Sequence, residues 1–168
     1  MSILIASLLC LAPCSCRGQK VDNSTVRNLD LERYLGSWYE IARFDHSFER
    51  GLIHAKAQYS LNSDGTITVT NSGMKNGKYK ESIGKVKLTK TAGRLRVSFF
   101  GPFYSDYRVM MLSKDYKYAL VGSKSPGYLW ILSRTPEVPE DVLQTILDVA
   151  SGRGYDTDKL IWVEQLDN

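Results

Sequence analysis

From Tyr34 to Arg134 the chain alternates apolar and polar residues in short runs, each closed by a turn signal. In 81–88, Ser82, Gly84, Val86 and Leu88 share one face, while Glu81, Ile83, Lys85 and Lys87 share the other. In 94–99, Leu95, Val97 and Phe99 oppose Arg94, Arg96 and Ser98. A period of two is the strand period, with apolar residues inside and basic residues outside. Asn62-Ser63-Asp64-Gly65, Gly73 to Gly77, Thr91-Ala92-Gly93, Gly101-Pro102 and Ser125-Pro126-Gly127 punctuate the runs. Eight runs result, near 37–45, 54–61, 66–72, 79–88, 94–100, 106–113, 117–123 and 128–134. Hairpin-length connections make neighbours antiparallel, and closing the set on itself leaves no free edge. The expected fold is all-β, an eight-stranded antiparallel up-and-down β-barrel.

The period then changes. Pro136 and Pro139 interrupt the strands, and Glu140 to Ser151 carries a helical pattern. Proline suits a first helical turn, Glu140 and Asp141 suit its positive end, and Gly152 suits the stop. Val142, Ile146 and Val149 form a stripe, widened by Leu143, Leu147 and Ala150. That stripe predicts packing on the outer wall of the barrel, with Tyr39 and Ile41 as contacts. A short final strand is expected over Leu160–Gln165.

Length and charge narrow the picture. The 168 residues allow one domain with a real core. The formal net charge of +4 is mild and does not point to nucleic acid. The cysteines, Cys10, Cys14 and Cys16, all lie at the start, so no disulfide staples the barrel. Residues Ile3 to Pro13 form an apolar run too short for the roughly 20 residues of a membrane span. It fits the apolar region of a secretory signal. The small residue before Cys16 matches a bacterial lipoprotein cleavage site, which makes Cys16 the candidate for lipidation; a plain cleaved signal is the alternative. The expected division is a signal over 1–16, an N-terminal segment over 17–33 and the barrel domain over 34–168.

Three pieces resemble the lipocalin signature in the right order: Gly36-Ser37-Trp38, Lys114-Asp115-Tyr116 where the family commonly has Thr-Asp-Tyr, and Arg134 at the end of the eighth strand. The likeness covers roughly residues 30 to 166. Trp38 to Leu52, Val97 to Phe103 and Tyr128 to Pro136 look like the bacterial lipocalin subgroup, which is similar to animal apolipoprotein D. The resemblance implies structural roles for Gly36, Trp38, Asp115, Tyr116 and Arg134. Trp38 would plug the closed end, with Arg134 as its cation–π partner. It also implies a fatty acid or lysophospholipid as ligand, bound for storage or transport in the bacterial envelope. The implied location is the outer membrane, facing the periplasm through a lipid anchor, and a homodimer is left open. A soluble periplasmic or secreted product is the alternative.

Parity anchored on Trp38 and Arg134 predicts the ligand-facing wall. It places Glu40, Ala42 and Phe44 inward on the first strand, Ala57 and Tyr59 on the second, and Val69 and Asn71 on the third. Ser82, Gly84 and Val86 follow, then Val97 and Phe99, Val109 and Met111, Ala119 and Val121, and Tyr128, Trp130 and Leu132. The mouth is assigned to Asp45–Ile53, Met74–Lys78, Phe100–Ser105 and Lys124–Gly127, with Arg43, Lys75 and Lys124 as candidate headgroup contacts. Glu40 is the odd inward residue; a tyrosine or asparagine is its expected hydrogen-bond partner.

Catalytic motifs are scarce. His46 and His54 lack zinc spacing, so no metal site is expected. There is no Gly-x-Ser-x-Gly elbow. Ser82-Ile83-Gly84-Lys85 matches Ser-x-x-Lys, yet on a strand those two side chains point apart. The expected function is non-catalytic lipid binding without a cofactor. An enzyme using the same cavity, or an envelope interaction protein without a specific ligand, remains the alternative.

Overall fold

The computed structural model describes residues 20–165, so the candidate lipidation residue Cys16 lies outside the described part. The elements are α1 (Leu31–Tyr34), β1 (Gly36–Phe44), β2 (Ile53–Leu61), β3 (Ile67–Lys75), β4 (Lys78–Leu88), β5 (Arg94–Phe100), β6 (Phe103–Leu112), β7 (Tyr118–Gly122), β8 (Leu129–Ser133), α2 (Glu140–Gly152) and β9 (Leu160–Trp162). Strands β1 to β8 follow one another antiparallel around the barrel, and β1 closes it by pairing with both β8 and β2. Strand β9 lies outside the closed set, beside Ala42–Phe44 of β1.

Two apolar clusters sit on the two faces of this wall. The inner one gathers Trp38, Tyr59, Val69, Val86, Val97, Val109, Val121 and Leu132. The outer one joins Ile41, Leu120, Leu129 and Ile131 to Ile146 and Ala150 of α2. The helix therefore packs where its stripe predicts. Its first turn carries Glu140 and Asp141, which favour the positive end of the helix dipole. The final strand is shorter than expected, ending at Trp162.

The register slips at four places, in β1, β2, β5 and β6, and two of the slips move residues of the expected wall. In β1 the register against β8 slips between Glu40 and Ala42. Glu40 pairs with inward Leu132, but Ala42 pairs with outward Ile131. In β6 the register slips between Val109 and Met111, and Met111 pairs with outward Leu120. Each of these two slips is a one-residue bulge, which exchanges the two faces beyond it. Ala42, Phe44 and Met111 thus belong to the outer cluster beneath α2, not to the inner wall on which parity places them.

One pole is sealed. Trp38 is fully buried, and its indole N–H donates to the Tyr34 carbonyl at 2.8 Å. The Arg134 guanidinium lies 3.8 Å from the centre of the Trp38 ring. It donates to the carbonyls of Ser37 and Arg33, both at 2.7 Å, and of Tyr34 and Tyr116, both at 3.2 Å. Gly36, at φ +92°, turns the chain into β1. A Cβ there would make only ordinary contact, 3.4 Å from Arg134 Nη1, so it is the conformation that calls for glycine. Tyr116 also has positive φ, and its hydroxyl accepts from the Asp30 N–H at 2.9 Å. Asp115 shapes the same connection by accepting from Ser113 and from the Lys117 N–H.

Arg134→Ala should destabilise the fold by about 3 kcal/mol, since it removes charged hydrogen bonds to four backbone carbonyls and a cation–π contact. Arg134→Lys should recover less than half of that, because an ammonium cannot span several carbonyls as a planar fork does. Urea midpoints of the three proteins check this.

Candidate functional site

The inner face is graded from the sealed pole to the mouth. On β2, Tyr59 is buried, while Ala57, two residues nearer the mouth, is half-buried. The same step separates Val69 from Asn71 on β3, Val97 from Phe99 on β5, and Leu132 from Trp130 on β8. Ala57, Phe99 and Trp130 pack on the inner cluster, and Asn71 pairs across to Ala57 on the same face. The Phe99 ring lies so close to Gly84 that a Cβ there would come within 2.9 Å of it. Tyr128 stacks beside Trp130 at the mouth, with ring centres 5.9 Å apart. The structure therefore gathers Ala57, Tyr59, Val69, Asn71, Gly84, Val86, Val97, Phe99, Val109, Val121, Tyr128 and Trp130 around one interior, with Ala42, Phe44 and Met111 excluded. Ser82 belongs to the exposed start of β4.

Polar groups inside the barrel form two networks. Near the seal, the Tyr107 hydroxyl bonds to those of Tyr34 at 2.6 Å and Tyr59 at 3.0 Å. Burial pushes the Tyr59 phenol up to about 12 and those of Tyr34 and Tyr107 well above the usual value. All three are neutral hydroxyls at physiological pH.

The second network lies under the mouth. Because the β1 bulge turns Arg43 inward, its Nη1 donates to Glu40 Oε1 at 2.6 Å. Its Nη2 donates to the carbonyls of Glu49 at 2.8 Å and Leu52 at 3.0 Å, pinning the β1–β2 loop to the wall. Glu49 Oε2 accepts from the Trp130 indole at 3.1 Å and lies 2.9 Å from His46 Nε2. His46 stacks on Phe48 with 4.0 Å between ring centres. Glu40, Arg43, His46 and Glu49 are all buried. Burial, then repulsion from the Glu49 carboxylate, push the Glu40 carboxyl up to about 8, with Arg43 opposing.

The expectation for Glu40 is corrected in its partner: an arginine, not a tyrosine or asparagine. Arg43 is correspondingly occupied inside the wall, whereas Lys75 and Lys124 stand at the mouth as expected. Sequence patterning missed Tyr34, Tyr107, His46 and Glu49. Tyr107 was accessible to it, two residues before inward Val109; the two loop residues carry no periodic signal.

This barrel, its indole seal and its guanidinium cover agree with the comparisons. A family model described as a lipocalin-like domain matches residues 29–165. The chain is a lipocalin. It is 49% identical over 160 residues to outer membrane lipoprotein Blc of Escherichia coli, covering 93% of this chain and 88% of that protein. The Vibrio cholerae protein of the same name is 44% identical, covering 89% and 91%. Mouse apolipoprotein D is 32% identical, covering 82% and 78%. Insecticyanin from the tobacco hornworm has the same fold, with a TM-score of 0.74 at 22% identity over 87% of this chain and 86% of that one. Family membership supports binding of a small hydrophobic molecule by this lipocalin.

A carboxyl that is protonated in the native state up to about 8, but only to about 4.5 when unfolded, makes stability fall as pH rises between those values. Glu40→Gln should remove that contribution. The stability difference between variant and parent should shift in the variant's favour from pH 5 to pH 8. Urea unfolding across this range checks it, and a constant difference would assign Glu40 no proton.

Proposed function

We propose that this lipocalin carries a single-chain lipid, a fatty acid or a lysophospholipid, within the bacterial envelope. In this reading Cys16 is acylated, and the protein faces the periplasm from the outer membrane. The observation that carries the lipid assignment is the inner wall: an apolar lining, buried toward the sealed base, with Ala57, Phe99 and Trp130 half-buried toward the mouth. An acyl chain fits such a wall because each methylene removed from water contributes about 0.8 kcal/mol. A long chain could gain roughly 10 kcal/mol before immobilisation and headgroup desolvation are subtracted, which leaves room for micromolar affinity. A polar headgroup would stay at the mouth, within reach of Lys75 and Lys124. The names of the bacterial relatives support the anchor and the membrane, and the small residue before Cys16 agrees with them.

Lipid extracted from protein purified out of envelopes should be single-chained and chemically unchanged. Adding a sixteen-carbon fatty acid or its lysophospholipid should alter Trp130 emission and saturate at one ligand per chain. Ala57→Trp fills the inner wall. Displacing even two methylenes costs about 1.6 kcal/mol, so affinity should drop more than about tenfold while the barrel still unfolds cooperatively. Equal affinity in the variant would place the lipid elsewhere, and recovery of altered lipid would indicate an enzyme.

A further inference from the structure

The open pole carries large apolar side chains in water. Phe100 and Phe103 pair across the Gly101-Pro102 turn between β5 and β6 and are 80% and 78% exposed. Phe48, in the β1–β2 loop, and Tyr79, beside the β3–β4 turn, are each 62% exposed. In an up-and-down barrel these three connections share one end. Among the described residues, the sealed pole exposes only Leu61 and Leu88 of this size, neither aromatic. Three aromatic-bearing connections at one pole make a rim rather than scattered exposure.

Cations accompany the rim. Lys75, Lys78 and Lys80 flank the β3–β4 turn, and Lys124 lies in the β7–β8 loop. Beneath the Phe100 turn, on the outer wall, a crevice of about 450 Å³ is lined by Lys85, Lys87, Ser98 and Tyr104. Acids nearby are engaged: Asp45 is held by Arg50, and Glu81 accepts from the Tyr79 hydroxyl.

The described chain also begins on this side. Lys20 packs against Gly154, and the next residue, Tyr155, lines a groove with Asp45, Pro126 and Gly127 of the mouth loops. Four residue steps separate Lys20 from Cys16, a reach of at most about 14 Å. Nine-residue strands run about 30 Å. A tether of that length holds the mouth, not the sealed pole, against the surface in which it is anchored.

We propose that the mouth rim docks on an anionic phospholipid bilayer, with Phe100 and Phe103 entering its interface and the surrounding lysines meeting lipid phosphates. Aromatic rings and lysines are the residue types that such an interface accepts. The barrel then opens directly onto the bilayer. The orientation rests on the anchored-carrier reading above; the rim itself does not need the anchor.

Phe100→Trp and Leu61→Trp place reporters at the two poles. The full chain is reconstituted into vesicles of phosphatidylethanolamine and phosphatidylglycerol containing acyl-brominated lipid. After the parent signal is subtracted, the Phe100→Trp emission should shift to the blue and be quenched several-fold more than that of Leu61→Trp. Lys78→Glu with Lys80→Glu, beside the β3–β4 turn, should reduce that quenching. Equal quenching at both poles, or none, overturns the proposal. A blue shift with doubled mass and no quenching would mean that a second copy covers the rim, and overturns it too. The mass of the purified protein reports acylation separately, and Cys16→Ser repeats the quenching on a chain without the anchor. An unacylated mass with rim quenching rejects the anchor alone; acylation without rim quenching rejects the docking alone.

Discussion

A barrel has two ends, and an apolar interior survives only if water is kept from one of them. Here Trp38 stops the lower end, and Arg134 stops the solvent face of Trp38. The arginine does more than cover an aromatic ring. Its donors reach carbonyls in α1, at the start of β1 and in the β6–β7 connection, so the entry into β1 and a connection some eighty residues further along the chain are tied to one planar group. Lysine could neutralise the site but could not hold three directions together. Everything about the inner wall follows from this asymmetry. On β2, β3, β5 and β8 one step from the seal toward the other pole takes the inner wall from buried to half-buried.

That gradient has polar markers at both depths. The tyrosine network near the base is uncharged, since burial holds all three phenols well above physiological pH. The network under the mouth contains two carboxyls, one guanidinium and one imidazole within a buried volume. Buried ions seldom add net stability, because desolvation offsets their attraction. Their effect here is positional. Arg43 joins a wall residue, Glu40, to two carbonyls of the β1–β2 loop, while Glu49 of that loop reaches Trp130 on β8. The loop over the mouth is thereby fastened to the inside of the barrel from two strands.

Much of this was legible in the sequence, and the failures share a cause. Eight runs, their turns, the outer helix and the seal follow from period, punctuation and three signature fragments. Parity then carried most of the inner wall, including Val69, Val86, Val97 and Val121. It failed for Ala42, Phe44 and Met111, each beyond a bulge. A bulge adds one residue without any residue type that betrays it, and Ile41-Ala42 and Met110-Met111 are apolar on either face. The same slip turns Arg43, a candidate headgroup contact by sequence, into the wall, where Glu40 and the β1–β2 loop occupy it. His46 and Glu49 were invisible for another reason: a loop has no period, and only the fold brings their side chains under the barrel mouth.

The first bulge also explains why β1 is buried along its whole upper half. From Glu40 to Phe44 every residue is covered, with Ile41, Ala42 and Phe44 under α2 and β9 and with Glu40 and Arg43 inside. A strand with regular alternation would bring either Ile41 or Ala42 to the outer face, not both. Placing both there gives the helix a broader apolar seat and turns the arginine inward in the same step. Docking of the helix outside and fastening of the loop inside are therefore two results of one extra residue. A deletion at Ile41 would disturb both, although the side chains involved lie on opposite faces of the wall.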